Sequence, residues 1–165
     1  MNVFKKQPEF FNTLSSSSVF CEVNSHIKNK EGFFLALDNG AAQSVFVSAL
    51  FHSLKQSVFV VQQDEEGAEN SYEDFSGLLG NNAFLLPNCQ QDPLNVPGLV
   101  FSSRTTFSRS LSLLISNSLG LFVSSLGAIK TKIHHPEKLL TESLTIRVGD
   151  KISQSIIIEK LTLWG

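Results

Sequence analysis

The sequence predicts an α/β fold: an open, mostly parallel sheet flanked by helices, followed by the start of a small α+β domain. Three observations carry that reading. Short runs at 33–37, 58–61, 83–86 and 121–123 are apolar throughout, as parallel strands must be when helices cover both faces of their sheet. Stretches with apolar residues at three- and four-residue spacing lie between them, which is the alternation of a β-α-β chain. After Ile133 the pattern breaks at His134-His135-Pro136, and the rhythm beyond is different.

Taken in order, Phe4, Phe10, Phe11 and Leu14 line one helical face. Serines 15–18 then form a loop or cap before a second short helix carrying Val19, Phe20, Val23 and Ile27. Phe33-Phe34-Leu35-Ala36-Leu37 reads as the first strand. Asp38-Asn39-Gly40 turns it into a helix with Val45, Phe46, Ala49, Leu50 and Leu54 facing inward. Val58-Phe59-Val60-Val61 is the second strand. Asp64 caps the helix that follows, Glu65 and Glu66 favour the positive end of its dipole, and Ala68, Tyr72, Phe75 and Leu79 form its inward stripe up to Gly80. Residues 83–86 make the third strand, stopped by Pro87. A loop from Asn88 to Gly98, a helix over about 100–116 and a strand at 121–123 return the chain to the sheet. Beyond it, Leu144-Thr145-Ile146-Arg147-Val148 alternates as a half-exposed strand. Gly149-Asp150 then turns into a last helix with Ile152, Ile156, Ile157, Leu161 and Leu163. The predicted division is an α/β domain over 1–135 and an incomplete second domain over 136–165.

The 165 residues are 42% apolar and 17% charged, enough to bury a core and unlike a disordered chain. Thirteen Lys and Arg against 15 Asp and Glu leave a net charge of −2, which argues against a protein that lives on the phosphate backbone. Cys21 and Cys89 stand 68 positions apart, in neither a disulfide framework nor a close-spaced metal motif, so the expected compartment is the reducing cytoplasm. Pro8 and Glu9 interrupt the stretch a signal peptide would need. Residues 110–129 carry no charge, yet only 11 of the 20 are apolar and Ser116, Asn117, Ser118 and Gly120 break the middle. That composition predicts the end of a buried helix and then a buried strand, with no membrane partner.

The eight residues Leu37-Asp38-Asn39-Gly40-Ala41-Ala42-Gln43-Ser44 overlay the phosphate-binding frame G-x-x-x-x-G-K-[ST]. Working chemistry there needs two glycines for the backbone to wrap the phosphates and a lysine to neutralise charge. Leu37, Ala42 and Gln43 occupy those three positions, Gly40 sits inside the turn, and only Ser44 survives. The plain reading is a strand-to-helix turn, with P-loop geometry and without P-loop chemistry. His26, His52, His134 and His135 show no HxxxH or HExxH spacing and read as solvent-facing. Cys89 is a loop thiol with no flanking signature, and the 23 serines include no G-x-S-x-G. Asp64, Glu65, Glu66, Glu69, Glu73 and Asp74 could dock a basic partner, but the preferred reading is the solvated side of an amphipathic helix. No catalytic residue and no metal site is predicted.

The succession 33–44, then 58–66 with Tyr72-Glu73-Asp74, then 83–87, then Leu121-Phe122-Val123-Ser124-Ser125 with Leu126-Gly127-Ala128-Ile129, resembles the N-terminal, UvrB-like region of the bacterial transcription-repair coupling factors (Mfd). Ser143-Leu144-Thr145-Ile146-Arg147-Val148-Gly149-Asp150 looks like the "SLxLxVGD" element that opens the family's second domain. The resemblance covers about residues 30–165 and rests on order and spacing. UvrB itself has an intact P-loop and a long aromatic-rich β-hairpin after its third strand. Gln43 and the short loop 88–98 fit the coupling factors better. One departure is Cys89-Gln90-Gln91-Asp92-Pro93, which stands where the family often has Trp-Glu-Thr-Leu-Pro-Tyr.

The resemblance implies a P-loop-NTPase-like sheet, degenerate and UvrB-like, over 1–135, and the first strand and helix of a UvrA-interaction domain over 136–165. It implies a non-catalytic module in transcription-coupled nucleotide excision repair that helps recruit UvrA and is masked in the resting protein by the far C-terminal domain. ATP and Mg would belong to separate helicase-like motor domains, which act on double-stranded DNA and displace stalled RNA polymerase, and this module would carry no cofactor. The arginines that contact UvrA would follow Gly165, so no partner-binding residue is assigned here. Gly40, Ala42, Gln43 and Ser44 form the degenerate nucleotide loop. The rival readings are a nucleotide-hydrolysing UvrB-like repair enzyme and an unrelated α/β interaction module.

Overall fold

The computed structural model describes residues 7–37, 40–88, 97–130, 135, 137, 144 and 146–164. The chain divides into two compact units, Met1–Thr131 and Lys132–Gly165. The first contains α1 (Gln7–Ser15), α2 (Ser18–Lys28), α3 (Gly40–Leu54), β1 (Val58–Gln62), α4 (Glu65–Leu79), a 3-10 turn (Gly80–Asn82), β2 (Ala83–Leu86), α5 (Pro97–Ile115), β3 (Leu121–Ser125) and the single turn α6 (Leu126–Ile129). The second contains α7 (Gln154–Trp164).

Local chemistry explains most of these boundaries. The Phe20 N–H donates to the Ser17 hydroxyl at 3.3 Å and starts α2, and the Gly67 N–H donates to the Asp64 carboxylate at 2.8 Å and starts α4. Lys30, Lys55 and Asn117 end α2, α3 and α5 with φ of 59°, 50° and 53°, the left-handed conformation that closes many helices. Pro97 opens α5, where its missing N–H removes nothing from the helix.

The three strands form one parallel sheet in the order β1-β3-β2. Val58 and Ala83 both stand opposite Leu121, and Val60 and Leu85 both stand opposite Val123. With side chains alternating between faces, these residues share one face. There they pack with Phe51 of α3 and with Ala68 and Phe75 of α4. Phe122 and Phe84 lie on the other face with their rings stacked at 5.3 Å, while Phe59 and Val61 on the same face of edge strand β1 are 44% exposed. A second core joins α1, α2 and α3 through Phe11, Phe20, Val23, Phe46, Ala49 and Leu50.

The architecture is therefore α/β with a small, open, parallel sheet and helices. Within 110–129 the expected buried strand is present as the fully buried β3, whereas the helix end before it is only half-buried: Ser110 is buried, Leu111, Leu113, Leu114 and Ile115 are half-buried, and Ser112 is exposed. Two expected strands are absent among the described residues. Residues 33–37 have no strand structure, and Phe34 is 97% exposed. Only Leu35 of this run packs against the helical core, and the Phe33 ring lies 6.2 Å from that of His26. The run thus rests on helices, and a strand needs a neighbour for its N–H and C=O groups. Since α3 and α4 contact each other on one face, a connection of the same hand through α3 would set such a strand beyond β1, on the outer edge that is open here.

The second expected strand is 144–148, whose described residues 144 and 146–148 carry no strand structure. The Arg147 N–H donates to the Asp150 carboxylate at 2.8 Å and the Asp150 N–H donates to the Arg147 carbonyl at 3.0 Å, which forms the turn expected at Gly149-Asp150 and begins it two residues earlier, inside the alternating run. Ile146 and Val148 are exposed accordingly. Thr145 lies outside the described residues, as do Phe4, Asp38, Asn39 and residues 89–96. Helix α7 starts at Gln154, so Ile152 precedes it and Ser153 stands at its cap.

Candidate functional site

In a parallel sheet every strand delivers its following loop to the same edge, which is where open α/β folds form their ligand crevices. At that edge Gln62 ends β1, Glu65 opens α4, Asn88 follows β2 and Ser125 ends β3. The Ser125 hydroxyl donates to Glu65 Oε1 at 2.5 Å and accepts the Ala128 N–H at 3.0 Å. Glu65 Oε2 accepts the Asn88 N–H at 3.4 Å. Gln62 Nε2 donates to the Ser71 hydroxyl at 2.7 Å. Gly127 completes the cluster, since a Cβ there would stand 3.2 Å from Asn88 Nδ2 and 3.4 Å from Glu65 Oε1.

Chemically this is a clasp. Both carboxylate oxygens of Glu65 accept, and the Ser125 hydroxyl is used as donor and as acceptor. It holds the ends of all three strands together.

The segment that overlays the P-loop frame takes no part in this clasp. Gly40 opens α3 and is exposed, Ala42 is half-buried, and Gln43 is exposed. Ser44, the one residue that matches the P-loop frame, is buried, with its hydroxyl 2.8 Å from Asp74 Oδ2 on α4 and 3.1 Å from the Gly40 carbonyl. Its single proton serves one of these acceptors at a time. The serine thus stitches α3 to α4.

No family model matches the chain, and neither does any curated protein or solved structure. Function must be argued from the residues themselves.

The acidic run divides by partner. Asp64 caps α4, Glu65 holds the clasp and Asp74 faces Ser44, while Glu66, Glu69 and Glu73 are exposed. His26 Nδ1 lies 2.8 Å from Glu31 Oε2, the His52 ring stacks on Phe11 at 5.6 Å, and His135 Nδ1 is 3.8 Å from Glu137. His134 and Cys89 lie outside the described residues. Among the described residues no group of three His, Cys, Asp or Glu is placed to hold a metal ion, and no helix is long and apolar enough to cross a membrane. Sequence reasoning missed the clasp, because its pieces are 60 positions apart and Ser125 is one of 23 serines. The usable signal was a serine closing an apolar strand immediately before a helical turn.

Proposed function

We propose that this chain is a non-catalytic α/β module that acts through protein contacts, and that it is the UvrB-like N-terminal region of a bacterial transcription-repair coupling factor. One observation carries the first half: the Ser44 hydroxyl is taken up between α3 and α4, at the head of a helix that has Gln43 where a nucleotide site needs lysine. The order and spacing of the segments from 33 to 150 support the second half. On this reading the domain is P-loop-like in descent, is cytoplasmic, and helps recruit UvrA, while ATP, Mg, double-stranded DNA and RNA polymerase are handled by the parent protein's motor domains.

A specific observation favours the second reading, an unrelated α/β interaction module. Residues 33–37 stand outside the sheet, whereas a P-loop fold builds its phosphate loop on that strand. The test is calorimetric titration of the full-length protein carrying this sequence with purified UvrA, alongside ATP titration of the 165-residue chain. UvrA binding without saturable ATP binding to the chain is expected. A folded protein that ignores UvrA leaves the interaction module of other specificity. Micromolar ATP binding lost in Ser44→Ala returns the chain to the repair enzymes.

A further inference from the structure

A cavity of about 290 Å³ opens at the outer edge of β2, between α4 on one face of the sheet and α5 on the other. Its use is independent of the reading above. The Ser110 hydroxyl donates to the Leu85 carbonyl at 2.6 Å and holds α5 against that strand edge, so the wall is fixed by a buried hydrogen bond. Tyr72 and Phe84 supply aromatic surface. Ser76, Asn81 and Thr105 bring hydroxyl and amide groups, and Arg109 brings the one formal charge among the described lining residues. Among the described residues no carboxylate lines the cavity and Arg109 forms no ion pair.

We propose that this cavity binds a small organic acid: a flat apolar body placed against Tyr72 and Phe84, with its carboxylate or phosphate on the Arg109 guanidinium. A guanidinium offers a planar fork that matches either anion with two parallel hydrogen bonds. Among the described lining residues a cation would find no opposite formal charge. The C-terminal end of α4 carries the negative end of its helix dipole and weakly opposes an anion, so recognition rests on the Arg109 guanidinium. Size narrows the class further. The volume lies at the lower limit for ligand pockets, about 300 Å³, so one ring bearing an acid group is admitted and a nucleotide is too large.

The test is a nuclear magnetic resonance titration of the chain with benzoate and, separately, phenyl phosphate, each to about 10 mM. Saturable shifts at the Asn81, Leu85 and Thr105 amides are expected for at least one probe, with Kd on the order of 1 mM. Whichever probe binds identifies the acid group preferred. Arg109→Gln, at an exposed position, should keep a folded spectrum and weaken binding by about tenfold or more. Arg147→Gln, in the other unit, should leave it unchanged. Shifts that do not saturate with either probe, or equal Kd for the parent and Arg109→Gln, would overturn the proposal.

Discussion

The Ser125 hydroxyl donates to the Glu65 carboxylate at 2.5 Å across 60 positions of sequence, tying the end of β3 to the start of α4. The Asn88 N–H after β2 donates to the other carboxylate oxygen, so one side chain gathers all three strand ends. Removing Ser125 strips a partner from Glu65 and the cap from α6 together. Ser125→Ala should therefore lower the unfolding free energy by about 1–3 kcal/mol. The readout is the urea midpoint at constant m-value, and an unmoved midpoint would mean that water replaces the hydroxyl without loss.

Ser48 presents the opposite case. It is fully buried in α3, and its hydroxyl has no hydrogen-bond partner among the described residues. Burying an unsatisfied hydroxyl is costly, and alanine has the better helix propensity. Ser48→Ala should stabilise the protein by about 1 kcal/mol, or roughly 2–4 °C in Tm for a chain of this size. A lower Tm would show that the hydroxyl is in fact satisfied.

What was legible in the sequence follows from which interactions are local. Asp64 capping α4, Ala68 and Phe75 on its inward stripe, and Gly80 at its end all depend on neighbours within a few turns, and all three appear as expected. The composition of 33–37 suits a strand, whereas strand formation depends on whether β1 accepts a neighbour. The turn at Gly149-Asp150 was legible in its own residues, and the Asp150 carboxylate that accepts the Arg147 N–H starts it two residues inside the alternating run. At 37–44, glutamine in place of a P-loop lysine at 43 could be read directly. The use of Ser44 to reach Asp74 could not, because that contact spans 30 positions and depends on how α3 crosses α4.

Gly120 is held where no side chain fits. Its carbonyl accepts the Val58 N–H at 3.1 Å, so the backbone cannot withdraw, and a Cβ there would fall 2.7 Å from Phe84 Cε2 and 3.2 Å from Phe122 Cε2. The Phe84 ring is stacked on Phe122 and can yield only by breaking that pair. Gly120→Ala should accordingly cost about 1–3 kcal/mol through overpacking. Phe84→Leu removes the obstructing ring edge, so the double variant should lose less than the sum of the single losses, with a coupling of about 0.5–3 kcal/mol. Urea denaturation of the four proteins in this cycle measures the coupling directly. Strictly additive losses would place the strain at Gly120 somewhere other than the Phe84 ring.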